Sequence, residues 1–259
     1  MSPLAGASVS VPTTTAILWL LAPLFLDLSN RNDVAIGIFV GVGLFFPAAV
    51  TLLNFESNRR MGPTAASTIS STAPLFSVAA ALVFLNETLT LPVTAGIAAI
   101  MAGVMALSWS SKEYSRRWPL WAIAIPIAGA ACRGLAQTTI KVGLDLWQSA
   151  FAAALIGYTV SAVVILLFTF LPGRTKSSVY SRQAVPRFVF AGILNGLGLL
   201  LSYEAFGRGQ VTTIAPILGT FPVFTFFLSI LFLRDERITV RAAIGVLLTV
   251  VGVALMTAR

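Results

Sequence analysis

Apolar runs recur along the whole chain, most of them long enough to cross a bilayer, with charges confined to the short patches between them. A helix rises 1.5 Å per residue, so roughly 20 apolar residues span a hydrocarbon core of about 30 Å. Inside lipid, each backbone N–H and C=O must be satisfied within a helix or a closed barrel. The alternating ten-residue strands of a barrel are absent. The pattern predicts an all-α polytopic membrane protein. Composition agrees: only 10% of the 259 residues are charged and the mean hydropathy is +0.91, against about 25% charged in a soluble domain.

The expected spans are 14–29, 34–55, 63–85, 91–108, 119–144, 148–171, 187–206, 211–233 and 240–257, nine crossings in all. Counting Lys and Arg on alternate sides gives a strong bias. One side holds Arg59, Arg60, the basic residues of 109–118 and 172–187, and Arg234, Arg237 and Arg241, twelve in total; the other holds Arg31, Arg208 and Arg259. Positive loops stay in the cytoplasm, so the N-terminal end is expected inside and the C-terminal end outside. The net charge of +8 therefore reads as orientation signals rather than a nucleic-acid surface. The first dozen residues lack a basic region, so no cleavable signal peptide is expected. With no histidine and a single cysteine, Cys132, neither a metal centre, an internal disulfide nor a His-based triad is expected, and no cofactor.

The chain repeats itself. "ETLTLPVTAGIAAIMAGVMAL" (87–107) matches "ERITVRAAIGVLLTVVGVALM" (236–256) at an offset of 149. Upstream, at an offset of 148, Leu53, Glu56, Arg60 and Thr64 match Leu201, Glu204, Arg208 and Thr212, and Thr72 and Pro74 match Thr220 and Pro222. An odd number of crossings separates the copies, so they insert with opposite orientation. The expected fold is two inverted-topology repeats, four helices plus five. Residues 1–108 form the first repeat, 109–118 a loop, and 119–259 the second. Helix 119–144 has no counterpart in the first repeat, which points either to a misplaced coding start or to a nine-helix variant.

"STAPLFSVAAALVFLNETLT", continuing to Gly96 and Gly103, and "APILGTFPVFTFFLSILFLRDERIT", continuing to Gly245 and Gly252, resemble the drug/metabolite transporter superfamily, EamA-type. "YEAFGRGQVTTIAP" resembles that family's link into the preceding helix. The resemblance implies a ten-helix inverted-repeat exporter, here without its first helix. It departs from the family in that absence and in the external C-terminal end.

Within this plan certain residues stand out. Arg133 lies mid-span in helix 119–144, where a guanidinium costs about 2.5–3.5 kcal/mol on insertion scales; it either binds a carboxylate or phosphate or pairs structurally with Glu204. Lys141 resembles a basic residue that many family members place near this helix end. It is either a second substrate contact or a snorkelling lysine neutralised by Asp145 at i+4. Glu56 and Glu204 are candidates for proton coupling, or else plain partners of Arg60 and Arg208. Pro74 and Pro222 are expected to kink their helices, with hydroxyls including Thr72 and Thr220 lining a polar cavity or gluing helices together. "GIFVG" (37–41) and "GILNG" (192–196) fit close helix packing. Glu87 and Glu236, with Gly96, Gly103, Gly245 and Gly252, form the structural repeat motif. Glu87 is expected to serve the N-terminus of the helix that follows it, 91–108, and Glu236 the equivalent helix on the opposite side.

The expected function is secondary transport of a small metabolite, an outward-moving amino acid or related organic acid, in a bacterial plasma (inner) membrane. The expected partners are the lipid bilayer, a small-molecule substrate and a second copy of the chain, not nucleic acid. A channel, or a transport-dead partner active only as an oligomer, is the alternative. A membrane-embedded enzyme would need a nucleophile–base pair or metal cluster that this composition does not supply.

Overall fold

A computed structural model describes residues 3–108, 119–170, 184–233 and 240–257. Glu236 and the loops 109–118 and 172–183 lie outside the described residues. Within them the chain is helical: α1 (Pro3–Phe25), α2 (Asp33–Phe45), α3 (Ala48–Met61), α4 (Pro63–Ser70), α5 (Ala73–Phe84), α6 (Leu91–Ser108), α7 (Leu120–Leu146), α8 (Ala150–Phe170), α9 (Val185–Arg208), α10 (Val211–Leu218), α11 (Phe221–Leu233) and α12 (Val240–Thr257). These twelve segments make nine apolar spans, because three spans are broken. Five are long and apolar enough to cross a membrane without a break or with one mild break, and the shorter apolar helices supply the remainder. The protein is a polytopic integral membrane protein of two inverted repeats.

Several boundaries differ from expectation. The first span runs from Pro3 to Phe25 rather than over 14–29, and Pro12 and Pro23 lie inside it. Beside Pro12, Thr13, Thr14 and Thr15 donate their hydroxyls back to the carbonyls of Val9, Ser10 and Val11 at 2.7, 3.2 and 3.0 Å. The span 34–55 divides at the cis Phe46–Pro47 peptide into α2 and α3, and the second piece runs on to Met61.

The chain forms two compact units. One comprises Met1–Phe55 with Ala136–Gly209, the other Glu56–Leu135 with Gln210–Arg259. Each draws on both sequence copies. The first unit pairs α1 and α2 with their counterparts α8 and α9; the second pairs α4, α5 and α6 with α10, α11 and α12.

In the first unit α1 lies against α8 and α9, and α2 against α8. The Thr14 hydroxyl donates to Gly192 O at 2.6 Å, and a Cβ on Gly192 would meet Ser10 O at 2.6 Å. The 192–196 glycines thus pack closely. Those of 37–41 do not, having no described neighbour within 4 Å; Gly43 makes the close approach instead, its Cβ position 2.8 Å from Gly157 O.

In the second unit α6 crosses α12. A Cβ on Gly96 would stand 2.7 Å from Gly252 O, and one on Gly103 would stand 2.6 Å from Gly245 O. The reverse substitutions meet the same fate, at 2.7 and 2.8 Å. The first glycine of one copy faces the second glycine of the other. Counterpart helices therefore cross antiparallel about a local two-fold, as inverted repeats require. Around this crossing Val78, Ile97, Ile100, Met101, Val104 and Met256 form a buried apolar cluster.

Candidate functional site

The broken spans carry the most consequential local chemistry. In the first copy α4 ends at Ser70 and α5 begins at Ala73; in the second α10 ends at Leu218 and α11 begins at Phe221. The hydrogen bonds across the two breaks correspond residue for residue. Thr72 N reaches Ile69 O at 3.0 Å and Thr220 N reaches Ile217 O at 3.1 Å. Each threonine hydroxyl donates to the same carbonyl as its own N–H, at 2.7 Å in both copies.

Pro74 and Pro222 stand in the first turn of α5 and α11, where a missing N–H leaves nothing unsatisfied. They do not kink a continuous helix, as the sequence suggested; they start a new one. Within the second unit the breaks meet, since a Cβ on Gly219 would lie 2.7 Å from Pro74 Cγ. Arg133 is half-buried on α7, and its neighbour Gly134 packs on this same first turn, with its Cβ position 2.6 Å from Phe76 Cβ.

Glu87 follows α5, and its carboxylate is fully used. Oε1 accepts the N–H of Val211 at 2.9 Å and Oε2 accepts that of Thr212 at 2.8 Å. It caps α10, 124 residues downstream, and not the helix that follows it in sequence. The donors are the free N–H groups of a helix N-terminus, where the dipole also favours a negative charge.

The ionic candidates are engaged as well. Both Glu56 oxygens receive the Arg59 guanidinium in a fork, each at 2.8 Å, and Arg60 pairs with Oε1. Arg60 in turn lies over the Trp121 ring, 4.8 Å from its centroid. Glu204 pairs with Arg208 at i+4. Lys141 Nζ meets Asp145 Oδ1 at 2.6 Å, its side chain largely buried.

A cavity with defined walls belongs to the first unit. It measures about 450 Å³ and is lined by Phe25, Asp27, Trp147, Gln148, Phe151 and Glu204, among others. Local turns build it. After α1, Asp27 Oδ1 accepts the Ser29 N–H at 2.8 Å and the Ser29 hydroxyl. These bonds hold the Asp27 carboxyl below the usual carboxylate range. Asn32 then caps α2, its side-chain oxygen receiving Val34 N and Ala35 N at 2.9 and 3.1 Å. After α7, Ser149 turns the chain into α8 and accepts Ala152 N at 3.2 Å. Trp147 is buried against Phe39, with ring centroids 6.3 Å apart, and Phe25 stacks on Phe151 at 5.9 Å. Asp27 and Trp147 were missed in the sequence, because isolated loop residues between spans look like solvated or interfacial groups.

The family model of the EamA-like transporter family matches residues 1–109 and 119–258. The chain belongs to the EamA-like transporter family. A solved crystal structure of a protein superposes on this EamA-like chain with a TM-score of 0.75, covering 99% of this chain and 88% of its own. At 17% identity that likeness shows the shared fold alone. An uncharacterised protein of Methanocaldococcus jannaschii is 29% identical over 99 residues, 38% of this chain and 72% of its own length.

Proposed function

We propose that this protein is a secondary transporter that exports a small metabolite, an amino acid or related organic acid, across a bacterial plasma membrane by alternating access. The observation that carries the reading is the pair of repeat-related helix breaks in contact within the second unit. Discontinuous helices in inverted repeats let one segment tilt against the next, and they are how transporters of several folds build a gated site. Membership of a transporter family supports transport over enzymatic chemistry.

In the second unit Arg133 is the anchor for a substrate carboxylate, beside the packed turn at Gly134, with the Thr72–Pro74 and Thr220–Pro222 breaks as the moving parts; Lys141, in the first unit, is a candidate substrate contact in its own right. Glu56 and Glu204 are the groups through which a proton gradient would act. The test is uptake by reconstituted vesicles across a panel of amino acids and organic acids, with and without a pH gradient. Arg133→Ala is expected to reduce transport to background while membrane insertion is unchanged. Transport at the native rate would make Arg133 structural.

The loop charges place the Asp27 end of the first unit outside. Phe25–Asn30, Trp147–Phe151 and Leu200–Glu204 are separated by even numbers of crossings, which agrees with their meeting at one cavity. An Asn30→Cys probe in a Cys132→Ala background is then labelled by an impermeant maleimide from the outer face. Protection from the outer face would reverse the orientation. Cross-linking in membranes separates a self-sufficient monomer from a homodimer.

A further inference from the structure

Two carboxylates line the first unit's cavity, Glu204 and Asp27, and the other described acids of that unit are paired. Arg31 pairs with Asp33 at 3.5 Å in the loop that follows α1. Lys141 pairs with Asp145 at the end of α7, and Arg208 with Glu204 at the end of α9. Among the described acids of the first unit Asp27 is the one without a cation. Its hydrogen bonds from Ser29 both fall on Oδ1, so Oδ2 has no donor among the described residues. Three of the other wall residues are aromatic, beside polar Asn30, Gln148 and Ser149 and aliphatic Leu200 and Leu201: Trp147 is only 4% exposed, and Phe25 and Phe151 stack with an interplanar angle of 28°. An anion beside aromatic faces is poor at holding a carboxylate and good at holding an ammonium group. The cation gains a Coulomb partner and the negative ring faces, while an attached apolar body covers the rings. A cavity of about 450 Å³ lies in the range of small-molecule sites and has room for a phenyl-sized molecule.

We infer that this cavity binds a small organic cation, an amine carried on an apolar body, with Asp27 as counter-charge and Phe25, Trp147 and Phe151 as its walls. The site recognises the amine end of its ligand, so among the proposed substrates it selects the amino acid over an acid that carries no amine. This goes further than the transporter reading and rests on it only for the site's purpose, as the outer station of the substrate path.

The experiment is calorimetric titration of the full chain in nanodiscs with two probes of similar shape and opposite charge, 2-phenylethylamine and 3-phenylpropionate. The amine is expected to bind at least about tenfold tighter than the acid. Asp27→Asn is expected to remove most of that preference, weakening the amine about tenfold and leaving the acid unchanged. Phe25→Leu is expected to weaken the amine by a smaller factor. Both residues are exposed at a helix end, so the variants fold, and a thermal melt checks that they do. Equal or weaker binding of the amine, no binding of either probe, or an Asp27→Asn variant with native affinity would each overturn the inference. Vesicle transport of amino acids in those cases leaves the transporter reading standing. Amine binding with no transport of any metabolite keeps the site and sinks the transporter reading.

Discussion

Two carboxylates at the ends of helices have opposite circumstances. Glu87, in the second unit, spends both oxygens on backbone N–H groups of α10. Asp27, in the first unit, borders a cavity with one oxygen unclaimed among the described residues. Neither sequence environment reveals this, since each is an acid in a short stretch between apolar runs. The difference lies in the donors that the fold supplies. A carboxylate given two free helix N–H groups becomes part of the framework, and one left without a cation beside aromatic rings is available to a ligand. The same contrast runs through the units. The second is closed by backbone approaching backbone at the glycine crossing of α6 and α12, and the first opens into a cavity between helix ends.

The largest effect is expected from filling the crossing of α6 and α12. A side chain at Gly103 meets Gly245 O at 2.6 Å and Thr249 N at 2.8 Å, both backbone atoms that cannot rotate away. Gly103→Leu is expected to cost ~3 kcal/mol, the upper part of the usual range for overpacking. The readout is loss of monodisperse protein in detergent and a lower melting temperature. A Gly37→Leu control, with no described neighbour within 4 Å, leaves both unchanged. If the two variants behave alike, the crossing does not hold the second unit together.

Much of this was legible in the chain. Nine spans, their inverted repeat and the paired glycines follow from apolar length and a fixed offset. The helix breaks were half legible: the prolines and hydroxyls marked the right places. Apolar content, however, does not say whether a proline bends a helix or begins one. Thr72 and Thr220, doubling up on the carbonyls of Ile69 and Ile217, show that they begin one. For Glu87 the physics of a helix N-terminus was correct and the helix was wrong. The nearest N-terminus along the chain is Leu91, and the nearest in space is Val211. Proximity between residues 124 apart is a product of folding and leaves no local trace. Asp27 left none either, because what distinguishes it from Glu87 is an oxygen with no donor among the described residues.

Removing the Glu87 cap is the next largest effect. Glu87→Ala strands two N–H groups of α10 and is expected to cost about 2 kcal/mol, within the range for caps and charged hydrogen bonds. Glu87→Gln keeps one acceptor and is expected to cost about half as much. Both are read as thermal stability in detergent, and substrate affinity in the folded fraction stays native. A variant of native stability with weakened affinity would move Glu87 from the framework to the ligand and collapse the contrast with Asp27.

The smallest effect is expected one residue inside that cap, and with the opposite sign. Thr212 donates its backbone N–H to Glu87, yet its hydroxyl is buried with no hydrogen-bond partner among the described residues. A hydroxyl stranded in this way is a cost, because water satisfied it in the unfolded chain. Thr212→Val puts a methyl where the oxygen was and leaves the backbone bond to Glu87 intact. Stability is expected to stay level or rise by up to about 1 kcal/mol, seen as an equal or higher melting temperature. The Glu87→Ala, Thr212→Val double variant should then show the sum of the two single effects, since the carboxylate holds the backbone and not the hydroxyl. A destabilised Thr212→Val, or a double variant that departs from the sum, would mean that the hydroxyl belongs to the Glu87 cap.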